Sequence, residues 1–331
     1  MKFHTKIRLA VECINALVLL VFTSVALYAE EIIQIKNGPT PMTAGNYRLF
    51  HPTWSPDGKF IAMTGENYRG IWIMDFNGII FQQLSDEERI GYRFCWSTDS
   101  REVACRLIKS APHQRLKAIK IFDIQTGLNR LVTDYRSGTG FPAWIENDQK
   151  ICFMENEKLR IVNTERNSKK FRQEDSKTTE DVILLETNGR LLLYTGEKEI
   201  QTIVVNPESR LLNARLSPNK QKLTFEMANA RIYVMNLDGT EMIDLGPGSH
   251  PKWAPDGENI VYYISTDNGE RIIEADIFMT DIRGEQKYQL TQTDDRIEMH
   301  PDWSPDGNKI IFDEYETGII YLIELEKIIV P

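Results

Sequence analysis

The chain has 331 residues, of which 41% are hydrophobic and 26% charged. That profile fits a soluble globular protein and excludes a collagen-like, low-complexity or largely disordered chain. Its 39 Lys and Arg against 48 Asp and Glu give a net charge of −9, which repels phosphate backbones and argues against a nucleic-acid partner.

The one long apolar run opens the chain. Lys2, Lys6 and Arg8 precede a mostly apolar stretch over 10–29, and Glu30 and Glu31 follow it. Basic, apolar, then small residues before a polar chain is the layout of a secretory signal. Ser24-Val25-Ala26 fits the small-x-small cleavage rule, and cleavage after Ala29 is the second option. Residues 1–29 are therefore expected to be a signal peptide. If uncleaved they form an N-terminal anchor, the only membrane contact, although Glu12 leaves about 15 clean apolar residues, short for a span. The expected location is periplasmic or secreted. Cys95, Cys105 and Cys152 follow in apolar, strand-like surroundings, which predicts buried, unreactive thiols.

A repeat organises the rest. His51-Pro52-Thr53-Trp54-Ser55-Pro56-Asp57-Gly58 returns as His250-Pro251-Lys252-Trp253-Ala254-Pro255-Asp256-Gly257 and as His300-Pro301-Asp302-Trp303-Ser304-Pro305-Asp306-Gly307. Weaker copies centre on Trp96, Trp144 and Leu216, so five of six tryptophans hold one position. Each copy is followed by a short apolar run, and then by a second run that ends in a turn such as Asp75-Phe76-Asn77-Gly78. Runs of β-branched and aromatic residues bounded by Pro, Asp, Asn and Gly are strands. Pro-Asp-Gly suits a tight hairpin, because Pro fixes φ, Asp bonds the local backbone and Gly takes the left-handed place. Asp57, Asp256 and Asp306, with Gly58, Gly257 and Gly307, are thus read as turn formers.

The anchor positions 54, 96, 144, 216, 253 and 303 leave one long gap of 72 residues. Segments 181–186, 189–194 and 199–205 supply strands for a unit there without the Trp. Seven units over 38–331 average about 42 residues, the size of a four-stranded propeller blade; six blades of about 49 are the alternative. The fold expected is all-β, one seven-bladed β-propeller over 30–331. Trp54, Trp96, Trp144, Trp253 and Trp303 are expected as packing wedges between blades.

These residues resemble the repeat of the TolB-type β-propeller, His-x-x-Trp-Ser-Pro-Asp-Gly followed by strand pairs, over roughly 38–331. The resemblance implies the propeller architecture. Similar propellers serve as periplasmic partner-binding subunits, as the substrate-gating half of prolyl-oligopeptidase-like enzymes, and in some carbohydrate lyases, so the resemblance leaves these roles as expectations. Only about 20 residues separate the signal from His51, so the α/β domain that precedes the TolB propeller is expected to be missing. The chain runs only six residues beyond Leu325, so a following hydrolase domain is not expected. There is no Gly-x-Ser-x-Gly, His-Glu-x-x-His, Cys-x-x-Cys or phosphate-binding loop.

One constellation carries chemistry. The residue three before the anchor is His51, Arg93, Phe141, Asn213, His250 and His300 in successive recognisable blades. Closing the ring places the three histidines on neighbouring blades near the channel mouth. Three imidazoles there suit a divalent metal or an anion. The favoured expectation is that each histidine bonds its own blade and the rings stay apart. The extra residues near 107–116 and 265–274 are expected as loops on that same face, where binding concentrates. The charged run 166–180 reads as a solvated linker. Residues 32–43 are expected to pair with the last blade and close the ring.

The function expected is an exported, monomeric, non-catalytic binding module. It would recognise an envelope protein, peptide or glycan at the channel mouth through His51, Arg93, Asn213, His250 and His300, with no cofactor. The alternative is a metal-dependent polysaccharide-lyase-like enzyme that holds a divalent metal on His51, His250 and His300.

Overall fold

The computed structural model describes residues 30–164, 182–187, 190–195, 198–203 and 210–330. The expected signal peptide and the charged run 166–180 lie outside them. Among the described residues no helix is long and apolar enough to cross a membrane.

The chain is a ring of seven antiparallel sheets. It opens with β1 (Glu30–Pro41). Blade one is β2 (Leu49–Trp54), β3 (Phe60–Gly65), β4 (Ile71–Asp75) and β5 (Ile80–Ser85). Blade two is β6 (Cys95–Trp96), β7 (Glu102–Ala111), β8 (Gln114–Asp123) and β9 (Asn129–Leu131). Blade three is β10 (Ala143–Ile145), β11 (Lys150–Glu155) and β12 (Lys158–Asn163). Blade four is β13 (Val182–Thr187), β14 (Arg190–Thr195) and β15 (Lys198–Ile203), the unit that lacks the Trp. Blade five is β16 (Leu211–Leu216), β17 (Lys222–Met227), β18 (Arg231–Asn236) and β19 (Ile243–Pro247). Blade six is β20 (Ser249–Trp253), β21 (Asn259–Asp267), β22 (Ile272–Asp281) and β23 (Lys287–Gln289). Blade seven is β24 (Glu298–Trp303), β25 (Lys309–Glu314) and β26 (Ile320–Val330), with β1 added as its outer strand. The seven-blade expectation holds and the six-blade alternative falls. Blades three and four show three strands each among the described residues, not four.

The second strand of a blade is covered on both faces, which is why its sequence is a continuous apolar run and not an alternating one. In β3 every residue after Phe60 is buried, β17 and β25 repeat the pattern, and β11 does so as far as Met154. The interior is divided into separate cores at the blade junctions. Leu49, Ile61 and Met63 meet Ile311 and Ile320 across the junction of blades one and seven. Leu191 and Leu193 meet Leu211 and Phe225 across blades four and five, so the blade without a Trp is packed like the others.

The tryptophans act as wedges with a polar tip. Trp96 Nε1 donates to the Thr53 carbonyl of blade one at 3.3 Å, Trp144 Nε1 to Cys95 at 3.1 Å and Trp253 Nε1 to Arg215 at 3.1 Å. Each ring thus ties its blade to the residue just before the anchor of the preceding blade. Trp303 instead donates to Gly307 in its own turn. The motif aspartates form turns: Ser55 Oγ donates to Asp57 and Ser304 Oγ to Asp306, while Asp256 accepts the backbone N–H of Glu258. Gly58, Gly257 and Gly307 have φ of 72°, 75° and 76°, a region that costs other L-residues strain. The three described cysteines are free, and burial pushes the Cys95 thiol up to about 12.

Closure joins the two ends of the described chain. β1 runs antiparallel to β26, with Ile33 opposite Lys327, Ile35 opposite Leu325 and Pro41 opposite Tyr321. As the outermost strand it tolerates Pro39 and Pro41, because one of its sides needs no ladder bonds. Removing it would expose the β26 edge, a template for aggregation. A chain lacking residues 30–41 is expected to melt more than about 5 °C below one that begins at Glu30. Equal melting temperatures in calorimetry would show that closure lies elsewhere.

Candidate functional site

The site begins with a backbone irregularity repeated from blade to blade. The innermost strands β2, β16, β20 and β24 each break register with their partner strand at the residue three before the anchor. There His51, Asn213, His250 and His300 adopt φ of 53°, 52°, 54° and 52°, and Arg93 in blade two adopts 60°. A bulge with a left-handed residue bends the strand and re-aims that side chain, here into the channel. Asn and His are among the few non-glycine residues enriched in this region, which accounts for the residue types found.

Carboxylates on second strands hold the bulges in place. Asp313 on β25 accepts the His51 backbone N–H at 2.9 Å, across the ring closure. Glu226 on β17 accepts the His250 backbone N–H at 3.0 Å and the Asn213 amide at 2.8 Å. In both cases the acid of one blade fixes the bulge of the next.

The three histidines converge. Ring centroids are 3.7 Å apart for His51 and His300, 4.6 Å for His250 and His300, and 5.9 Å for His51 and His250. One nitrogen from each ring can be chosen so that all three lie within 4.8 Å of one another. A tetrahedral ion with nitrogens at about 2.1 Å needs them about 3.4 Å apart, so the widest-spaced pair would have to draw closer to share one. The expectation that the rings stay apart is overturned, because each bulge turns its ring toward the axis. His300 does bond within its own blade: its Nδ1 lies 3.0 Å from Asp313 Oδ1. With Asp313 ionised, Nδ1–H donates to it and Nε2 is left as a bare lone pair. A carboxylate behind the imidazole is the usual orienting partner of a metal-ligating histidine.

Burial sets the protonation. Desolvation, reinforced by the repulsion that a protonated His300 would exert, lowers His51 to about 3. Burial lowers His300 to about 3 and His250 well below the ordinary range. All three are neutral at pH 7, the state a metal ligand requires. Burial pushes Asp313 up to about 7, against the neighbouring His51 ring and its backbone N–H.

Arg93 and Asn213 line the same mouth cavity as the histidines, a space of about 250 Å³. The Arg93 guanidinium lies 5.1 Å from the Phe141 ring. The presumed loops at 107–116 and 265–274 are instead paired strand: β7 and β8 pair as far as Ala111–Gln114, and β21 and β22 as far as Asp267–Ile272. Sequence reasoning missed Asp313, Glu226, Lys252 and Tyr68, whose ring stacks on His51 at 5.0 Å. A constant spacing was available for the acids, since Asp313 and Glu226 each lie 13 residues after His300 and Asn213.

No family model matches this chain and no curated protein matches it in sequence. Solved structures do. The β-propeller domain of Cps50 (Swd1) from Myceliophteria thermophila has a TM-score of 0.52 at 14% identity, over 88% of this chain and 99% of that one. An oligogalacturonate lyase from Vibrio parahaemolyticus has a TM-score of 0.45 at 15% identity, over 86% and 79%. The likeness is one of fold. Both are β-propeller proteins, and nothing in them singles out the TolB type.

Lowered imidazoles make stability depend on pH. A histidine near 3 in the fold and 6.5 unfolded contributes stability above pH 6.5 that is lost as pH falls toward 3. Asp313, raised in the fold, acts in the opposite sense and offsets one of the three. In chelator, stability is therefore expected to rise from pH 5.5 to 6.5. His250→Asn should reduce the slope by up to about 1.4 kcal/mol per pH unit. Urea titrations at both pH values check this; an unchanged slope would mean His250 titrates normally.

Proposed function

We propose that this chain is an exported binding propeller whose channel mouth holds a divalent transition metal on His51, His250 and His300 and captures a small ligand there. The observation that carries the reading is the convergence of three buried, neutral imidazoles from three adjacent blades. The donor set fits. All three donors are nitrogen, His300 is oriented by Asp313, and three protein ligands leave positions open toward the channel. When bound, the ion supplies a Lewis-acidic centre for a ligand oxygen or nitrogen.

The chain's own residues do the rest. Asp313 holds His300 in the tautomer that offers Nε2, and with Glu226 it fixes the backbone of His51 and His250. Tyr68 packs over His51, and Tyr92 packs edge-on against Tyr68 at 4.9 Å, giving the mouth an aromatic wall. The ligand is expected to come from the cell envelope, in keeping with the signal-like leader over residues 1–29.

Elimination on an acidic polysaccharide would use the same triad but needs a proton acceptor besides the ligating imidazoles. Binding needs no further group and is the reading adopted. Calorimetric titration of the mature protein with Zn²⁺ or Mn²⁺ is expected to give one site per chain. His51→Ala or His250→Ala should weaken it at least about 100-fold, and His113→Ala should leave it unchanged. Failure of both ions to bind, or equal binding by the triad variants, would overturn the proposal.

A further inference from the structure

Blade two carries a strand edge that nothing covers among the described residues. Its innermost strand β6 pairs only with Val103 and Ala104 of β7, yet β7 continues to Ala111. The Glu102 carbonyl accepts the Ser97 N–H on that inner side. Backbone groups alternate sides along a strand, so the N–H and C=O of Arg106, Ile108 and Ser110 lie on the same edge. The outer strand agrees: Lys117 and Ile119, opposite Ile108 and Arg106, turn their own backbone groups away from β7, toward Arg136 and Val132. The inner-edge groups of Arg106, Ile108 and Ser110 have no hydrogen-bond partner among the described residues. The edge stands at the channel mouth. The Arg106 guanidinium lies 3.7 Å from the centre of the Phe141 ring, and Phe141 holds in blade three the place of His51.

Charge selects what fits there. Residues 103–122 hold five basic side chains and no acid, in a chain of net charge −9. Directly opposed residues share a face, which puts Arg106, Arg115 and Lys117 on one face of the hairpin and Lys109 on the other. Burial lowers the Lys117 ammonium, and Arg106 and Arg115 lower it further, as neighbouring cations do. Lys120 is taken by Glu87 at 3.0 Å. Arg136, beside Lys117, takes Asp134 at 3.5 Å and Glu155 at 3.8 Å, and Glu155 also meets Arg160 at 3.1 Å. Arg106, Lys109, Arg115 and Lys117 form no ion pair among the described residues. A row of open backbone donors and acceptors is matched by another peptide backbone. Cations on one face favour acids at every second residue of that peptide. We infer that the inner edge of β7 over 106–110 docks an extended acidic segment of a partner protein, added as a strand beside the channel mouth. The backbone ladder supplies the affinity, and Arg106, Arg115 and Lys117 select the charge. The inference goes beyond the metal reading and does not depend on it.

The probe is a capped synthetic peptide of four Glu-Val repeats, titrated into the protein at low salt, where charge selection is strongest. One peptide per chain is expected to bind. Four Lys-Val repeats should not bind. Nor should the fully N-methylated Glu-Val peptide, which keeps every charge but has no N–H to donate. Arg115→Glu combined with Lys117→Glu should weaken binding at least about tenfold, and thermal melts report whether that variant is folded. The N-methylated comparison uses the natural protein and decides the matter even if the variant fails to fold. Equal binding by the N-methylated peptide would overturn the inference, because charge alone, as on an acidic glycan or lipid surface, then accounts for it. Unchanged affinity in the folded double variant would place the peptide elsewhere and overturn it too. No binding by the Glu-Val peptide would also overturn it, and would mean that the cations only guard an open edge against aggregation.

Discussion

The left-handed residue near the start of the innermost strand in blades one, two, five, six and seven is the constraint on which the site depends. Holding an L-residue there costs about 1–2 kcal/mol. A hydrogen bond from its backbone N–H to a carboxylate returns about 1.5–3 kcal/mol, so the strain at His51 and His250 is offset by Asp313 and Glu226. Because the acid and the bulge belong to neighbouring blades, the same bond that relieves the strain also joins the ring. The bulge then decides direction. Without it the side chain would lie against the blade; with it the side chain enters the channel, and neighbouring blades bring their residues to one point.

Electrostatics in the channel follow from burial more than from composition. The chain carries a net charge of −9, yet the imidazoles at the channel mouth are neutral. A protonated triad would place three like charges within a few ångströms in a poorly solvated space, and desolvation alone already prevents it. The result is a cluster of neutral nitrogen donors beside the Lys252–Asp302 ion pair. A second cavity, of about 490 Å³, has Trp54, Trp96 and Trp303 in its wall. The residues that wedge the blades apart therefore also set the width of the channel.

Much of the fold was legible because its devices need particular residues. A Pro-Asp-Gly hairpin and a wedge tryptophan with a carbonyl to reach leave a repeated mark in the sequence. Blade four carries neither, yet period and apolar runs placed its strands within two residues of Val182–Thr187, Arg190–Thr195 and Lys198–Ile203. The long hairpins of blades two and six were misread as loops. Their ends are polar, as Lys109, Ser110 and Arg115 show, because they project past the ring and pair only with each other. At the site, the position of the histidines was legible but their convergence was not. Left-handed φ and the reach of Asp313 into blade one are three-dimensional facts; the 13-residue spacing is their one trace in the sequence.

The central claim is that three bulges aim three imidazoles at one ion. X-ray absorption at the zinc edge of the zinc-loaded protein tests it most directly. The account predicts three histidine nitrogens at about 2.0–2.1 Å together with lighter oxygen scattering, and loss of one imidazole shell in His250→Ala. A spectrum with one histidine or none, unchanged by that substitution, would contradict it.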